Sequence, residues 1–254
     1  MMREEVITSL LKRIQNETGI VLSRQTDRDR ISRYLDNGGE IPALNEKLPV
    51  SLINLVTTNE TYFEREAHHF DRLIEEILPN LDRLDPLKPI RILSAPCSSG
   101  EESYSIALRL SAASVKLSRP IEIIGIDISE EMIEKARKGL YSPRSVHALD
   151  QSILERYFVC VDGYYQILPF SSLTVRFISG NVFDPELWKS LGSFDVIFSR
   201  NMMIYFDSFK NRELLKRFKE HLRGYLILGH ADDHTQAKEL FSPLRIERGV
   251  IYHS

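Results

Sequence analysis

The spacing of apolar residues divides the chain into two unlike parts. Before residue 80 the spacing is helical. Val6, Leu10, Leu11 and Ile14 recur at intervals of three and four, which puts them on one helix face. Phe70, Leu73, Ile74, Ile77 and Leu78 repeat that pattern, and Pro79 is expected to stop it. Gly38, Gly39 and Pro42 mark a loop between these helical parts.

From residue 90 short apolar runs alternate with amphipathic helices. Strands are expected over 90–95, 121–128, 174–178, 194–199 and 225–229. The second is rich in isoleucine, as central parallel strands tend to be. A helix is expected over 102–115 and another over 208–223. Between them, Ser129 is a good N-cap, Glu130 and Glu131 fill a first turn, Lys135, Arg137 and Lys138 fill a last turn, and Gly139 follows as a stop. Such alternation predicts an α/β protein with an open, mostly parallel sheet covered by helices on both faces. One segment breaks the rhythm. Residues 157–161 and 164–168 flank Asp162-Gly163, a hairpin signal, so 143–173 reads as a small insertion carrying a helix and a β-hairpin.

Composition narrows the class without choosing a chemistry. The chain has 254 residues, 43% of them hydrophobic, enough for a sizeable core. A formal net charge of −3 lacks the basic footprint of general nucleic-acid binders, so no nucleic acid is expected as partner. The two cysteines, Cys97 and Cys160, fit no metal-ligand spacing and suit a reducing cytoplasm. No apolar run approaches the ~20 residues that span a bilayer. Nor does a secretory-type stretch follow Met1 to Glu5. No membrane insertion and a cytoplasmic location are expected.

Candidate chemistry concentrates after the first strand, at Ser94-Ala95-Pro96-Cys97-Ser98-Ser99-Gly100-Glu101-Glu102. In open α/β sheets ligands bind beyond the carboxyl ends of strands, near the point where strand order reverses. The turn lacks a G-x-G-x-x-G pattern, and paired acids at the helix start would repel a phosphate. Hydroxyls and a positive charge fit better; an ordinary tight βα turn is the plainer reading of the same residues. Asp127, at the end of the second strand, is placed to accept both hydroxyl protons of a ribose. It could instead cap the next helix, although Ser129 is better placed for that. Together these features point to an adenosine cofactor without a pyrophosphate, a description that S-adenosylmethionine meets.

The segment Thr57-Thr58-Asn59-Glu60-Thr61-Tyr62-Phe63-Glu64-Arg65-Glu66 resembles the domain-junction signature of the CheR family of chemotaxis receptor methyltransferases. The resemblance continues through residues 98–105, 125–129, 134–141 and 194–207, five blocks in family order across roughly residues 55 to 230. It implies a Rossmann-like S-adenosylmethionine-dependent methyltransferase sheet domain over 76–254, with the 143–173 insertion, preceded by a small helical domain and linker over 1–75. By the same resemblance Asn59, Thr61 and Arg65 close over the cofactor from the N-terminal side. Glu102 and Asp127 hold its amino acid and ribose portions, Asn181 and Val182 border the adenine, and Ser199 and Arg200 lie beneath the methionine moiety. Arg65 and Tyr205 are expected closest to the methyl transfer. Read without the resemblance, Tyr205 fits plain core as well as a site, Arg65 fits a surface ion-pair residue, and Asn59 and Thr61 fit helix caps. The implied activity is methyl esterification of glutamate side chains on the cytoplasmic helices of chemoreceptors, with S-adenosylhomocysteine as the other product and a monomeric enzyme. The residues also leave room for a related methyltransferase acting on another protein or a small molecule, and for a cofactor-binding regulator without turnover.

Several features depart from that family's pattern. Ser103 stands where proline is usual, which should cost local rigidity rather than chemistry. Gly229-His230-Ala231-Asp232-Asp233-His234 replaces a Gly-His-Ser-Glu element, and its acids and histidines have no further ligands at recognisable spacing, so no metal is expected. The N-terminal domain is short, and its Arg24, Arg28, Arg30 and Arg33 are interleaved with Asp27 and Asp29. A solvated helix face and a receptor-docking surface both fit that pattern. The compact hairpin predicts no binding of a receptor's pentapeptide tether.

Overall fold

The computed structural model describes residues 3–43, 45–57, 60–82, 88–113, 118–246 and 249–254. Helices α1 (Arg3–Thr18), α2 (Gln25–Asp36) and α3 (Val50–Val56) open the chain and share a small core of Ile7, Leu10, Leu11, Ile14, Ile31 and Leu52. The buried stripe of α1 starts at Ile7, with Val6 half-buried at its edge. The arginines of α2 bond within this unit from its surface, Arg33 from an exposed position. Arg28 binds Glu4 at 2.6 Å, Arg30 donates to the Leu55 carbonyl, and Arg33 donates back to its own helix at Asp29.

The next helical stretch runs through Pro79 instead of stopping there. It comprises α4 (His68–Arg72), a π-helical turn at Leu73–Ile77, and α5 (Leu78–Asp82). A proline ring ordinarily clashes with the carbonyl four residues back. Here the preceding turn is widened, and the Leu78 N–H bonds the carbonyl of Leu73, five residues back. That extra residue per turn makes room for the ring.

The remaining elements are β1 (Ile90–Ser94), α6 (Glu101–Ala112), β2 (Ile121–Asp127), α7 (Glu130–Lys138), β3 (Leu140–Tyr141), α8 (Gln151–Tyr157), β4 (Phe158–Val161), β5 (Tyr164–Ile167), β6 (Leu173–Ser179), α9 (Pro185–Leu191), β7 (Phe194–Ser199), α10 (Ser208–His221), β8 (Leu222–Leu228), α11 (His234–Leu240), β9 (Ser242–Ile246) and β10 (Gly249–His253). Seven strands form one sheet in the order β6-β2-β1-β7-β8-β10-β9. The first five are parallel, and the last two are antiparallel additions that the apolar pattern did not signal. Neighbouring residues of one strand serve opposite faces: Leu93 joins Ile124, Trp188 and Phe218, while Ile92 joins Ile123, Phe198 and Leu73. Each such fully buried side chain contributes about 1.5–3 kcal/mol.

Chain order reverses between β1 and β7. From β1 the chain steps outward to β2 and β6, then returns to β7 and leaves on the other side. The loops after β1 and β7 therefore diverge and open a crevice. A second sheet, β3-β5-β4, stands apart from the first. Its β4–β5 turn has positive φ at both Asp162 (50°) and Gly163 (79°), the geometry of a two-residue type I′ hairpin. β3, which lies ahead of residue 143, joins this sheet by pairing with β5.

Candidate active site

The crevice is a cleft of about 180 Å³ at the carboxyl ends of β1, β2, β6 and β7. Its floor is the turn after β1. Gly100 takes φ 93°, a left-handed value open to glycine at little cost, and starts α6. Gly125, inside β2, lets Phe177 and Cys97 close in; a Cβ there would lie 2.6 Å from the Phe177 ring and 2.9 Å from the Cys97 sulfur.

Asp127 ends β2 and faces the cleft with its carboxylate already oriented. Its Oδ2 accepts from the Ser98 N–H at 2.8 Å and its Oδ1 from the Ser129 N–H at 2.9 Å. The Ile128 N–H adds a third backbone donor, and the four acceptor sites of a carboxylate leave room for one further donor. Burial raises its pKa, against the pull of the Ser129 and Ser98 amides. Ser129 Oγ caps α7 by accepting from Met132 N–H, as expected. Glu102, in the first turn of α6, is also raised by burial, with Arg200 opposing. It accepts from Ser94 Oγ and from Arg200 Nη1, both at 2.8 Å.

The roof comes from the N-terminal helices and the linker after them. Thr18, Ile20, Val56 and Thr57 line the cleft beside Thr61, Tyr62 and Arg65. Four hydrogen bonds fasten this roof to the sheet unit. Val21 N–H donates to the Tyr205 carbonyl at 2.8 Å, Asn181 Nδ2 donates to the Glu17 carbonyl at 2.6 Å, and Asn54 bonds Ser129 Oγ at 2.6 Å and Glu131 at 2.9 Å.

Arg200, beyond β7, gathers the acids behind the cleft. Besides Glu102 it contacts Glu66 at 3.2 Å and donates to the Arg65 carbonyl. Burial pushes the Glu66 carboxyl upward, but Arg200 and then His230 outweigh it and hold it below the ordinary range. His69, packed against Glu66 at 3.5 Å, is driven down to about 3 by burial and then by Arg200.

A family model described as the CheR methyltransferase, SAM binding domain, matches residues 59–250. The chain belongs to the CheR methyltransferase family. It is 41% identical over 225 residues to chemotaxis protein methyltransferase 2 of Vibrio cholerae, covering 87% of this chain and 75% of that protein. It is 40% identical to a chemotaxis protein methyltransferase of Campylobacter jejuni, covering 82% and 76%. With the corresponding Borreliella burgdorferi protein it shares 32% identity over 251 residues, covering 90% and 88%. This CheR-family enzyme is thus an S-adenosylmethionine-dependent methyltransferase with a Rossmann-like sheet. The cleft suits that cofactor. Buried Glu101 and half-buried Glu102 at the start of α6 disfavour a phosphate, whereas Asp127 and Glu102 offer acceptors to hydroxyl and ammonium groups and Arg200 offers a cation.

Most residues singled out from the sequence come together here. Thr61, Arg65, Glu102, Asp127, Asn181, Val182, Arg200 and Tyr205 all line the cleft. Ser199 does not; it lies fully buried in β7, its hydroxyl without a hydrogen-bond partner among the described residues. Asn59 lies outside the described residues. Sequence reasoning missed Thr18 and Val56, whose helical spacing signals burial and nothing about a ligand, and Ile20, which follows the end of α1. The 229–234 cluster turns out to be bracing. Asp232 accepts the N–H groups of Asn201, Met202 and Met203, Asp233 caps α11, His234 bonds Tyr252 and the Gly229 carbonyl, and His230 meets Glu66. Among the described residues no group of three or more such side chains is arranged to hold a metal ion.

Proposed function

We propose that this enzyme esterifies glutamate side chains on the cytoplasmic helices of chemoreceptors, with S-adenosylhomocysteine as the second product. The observation that carries the reading is the convergence of Arg65 and Tyr205 on one cleft with Asp127 and Glu102. In this reading Asp127 holds the ribose, and Glu102 with Arg200 the amino acid portion. Asn181 and Val182 border the adenine, and Thr61 closes the roof. Bound S-adenosylmethionine supplies an activated methyl group on its sulfonium.

The chain's own task is placement. A glutamate acceptor, with a reference pKa near about 4.3, is already an anion at neutral pH and needs no general base. Arg65 holds that carboxylate, the Tyr205 hydroxyl orients it, and the roof excludes water. Holding two reactants in attack geometry can by itself lower a barrier by ~7 kcal/mol or more.

The organisation we favour gives residues 1–75 to the roof, receptor approach and Arg65, and 76–254 to the cofactor and the rest of the chemistry, in a cytoplasmic monomer. The arginines of α2 mostly pair within the N-terminal unit, so receptor recognition rests on the cleft mouth more than on a basic helix. The tight Asp162-Gly163 hairpin supports work without a pentapeptide tether; deleting a receptor's tether should leave KM unchanged. Among the described residues no helix is long and apolar enough to cross a membrane.

The test is incubation with radiolabelled S-adenosylmethionine and a chemoreceptor cytoplasmic fragment. Base-labile label released as methanol is expected, and Arg65→Ala or Tyr205→Ala should abolish it. Base-stable label, or none with any receptor fragment, would sink the proposal.

A further inference from the structure

The segment that carries Arg65 has an unusual backbone. Glu64 and Glu66 both sit in the left-handed region, at φ 63° and 53°, which residues with a Cβ rarely adopt. Such conformations persist only where the surroundings over-determine them, and they cluster at functional sites. Here the surroundings can be named. Phe63 is fully buried between the rings of Tyr141 and Phe158. The Glu64 N–H donates to Ser105 Oγ at 3.0 Å, and its carboxylate takes Nε of Arg109 at 2.8 Å together with Nη2 of the same guanidinium. Arg109 is tied in turn to Asp71 at 3.0 Å. On the other side of Arg65, Glu66 is held by Arg200 and His230, and the Arg65 carbonyl by Arg200.

The two flanking carboxylates are therefore anchored on different elements, Glu64 on α6 and Glu66 at the end of β7, with Arg65 between them on the cleft. Among the described residues the Arg65 side chain makes one hydrogen bond, to the Glu60 carbonyl at 3.0 Å. A long side chain with so little support of its own is aimed by its backbone. The Glu66 anchor shares Arg200 with the cleft, but Glu64 and Arg109 line no part of it.

We propose that Glu64 and Arg109 are positioning residues for methyl transfer: their ion pair, made away from the cleft, holds the 64–66 backbone so that Arg65 points at the acceptor. The inference rests on the reading of Arg65 given above. It predicts a defect in turnover rather than in cofactor binding, because the pair touches neither Asp127 nor Glu102.

The experiment uses the full chain with a chemoreceptor cytoplasmic fragment. Glu64→Gln and Arg109→Gln should each lower kcat by ~10-fold or more, in line with small misplacements near a reacting group. The Kd for S-adenosylhomocysteine should stay within about two-fold, and Arg109→Lys should recover part of the loss. In an Arg65→Lys background, Glu64→Gln should add less than about two-fold, as expected of residues acting through one another. Trypsin should cut after Arg65 faster in Arg109→Gln while the sites it shares with the unaltered chain are cut as before, a readout that needs no acceptor. Unchanged kcat, an equal loss in the Arg65→Lys background, or faster cutting at every site would overturn the proposal. Arg65→Ala run alongside separates the failures. Full activity in Arg65→Ala defeats the reading of Arg65 and this inference with it, whereas an inactive Arg65→Ala beside a fully active Glu64→Gln defeats the ion-pair inference alone.

Discussion

Arg200 Nη1 donates to Glu102 Oε2 at 2.8 Å, with the two side chains only 3% and 13% exposed. The same guanidinium faces Glu66 at 3.2 Å, so one buried cation balances two carboxylates at the end of the sheet. Removing one partner of a buried pair leaves a charge without compensation, which costs about 3–5 kcal/mol. Arg200 thus links the cofactor pocket, the Arg65 backbone and the stability of the fold.

Arg200→Ala should therefore lower unfolding free energy by roughly 3 kcal/mol or more. Arg200→Lys should recover only part, because a point-charge ammonium cannot serve Glu102, Glu66 and the Arg65 carbonyl with one planar fork. Urea denaturation of the three proteins measures this; equal midpoints would refute it.

Asp127→Asn tests the ribose assignment. Both carboxylate oxygens of Asp127 already take backbone N–H groups, so an amide must turn its NH2 against one of them. Loss of a charge-assisted hydrogen bond is worth about 1.5–3 kcal/mol. The affinity for S-adenosylhomocysteine should then drop by roughly ten- to a hundred-fold, read by titration calorimetry. Unchanged affinity would remove Asp127 from the cofactor site.

His69 sets an acid limit on stability. Burial and Arg200 lower its pKa from 6.5 to about 3. Between those values the unfolded chain binds the proton and the folded chain does not, so stability rises with pH across the window. The contribution is complete above 6.5 and is lost as pH falls below it. His69→Gln should flatten the dependence of the urea midpoint on pH between about 5 and 6.5. An unaltered slope would show that another group governs it.

Much of the sheet unit was legible from local signals. The strand at Phe194–Ser199, the Ser129 cap, the Gly139 stop and the Asp162-Gly163 turn each follow from a few adjacent residues. Pro79 misled, since the π-helical turn that accommodates it depends on how α4 and α5 pack on the sheet. The strands β9 and β10 were silent because they add to an edge already made by β8. Ser199, a strand-end residue with two faces to choose from, is buried and does not line the cleft, a choice that adjacent residues alone do not settle.

The sequence by itself determined the alternation of strands and helices, the acid at the end of β2 and, through the junction motif, the family. These rest on short-range periodicity and on contiguous residues, which a linear text preserves. Only the tertiary structure decided that Thr18 and Ile20 roof the cleft, that Arg28 pairs with Glu4 and Arg30 with the Leu55 carbonyl, and that Glu64 and Glu66 anchor Arg65 from two sides. Such facts join residues as far apart as Glu66 and Arg200, and whether two such side chains meet depends on how every intervening element packs.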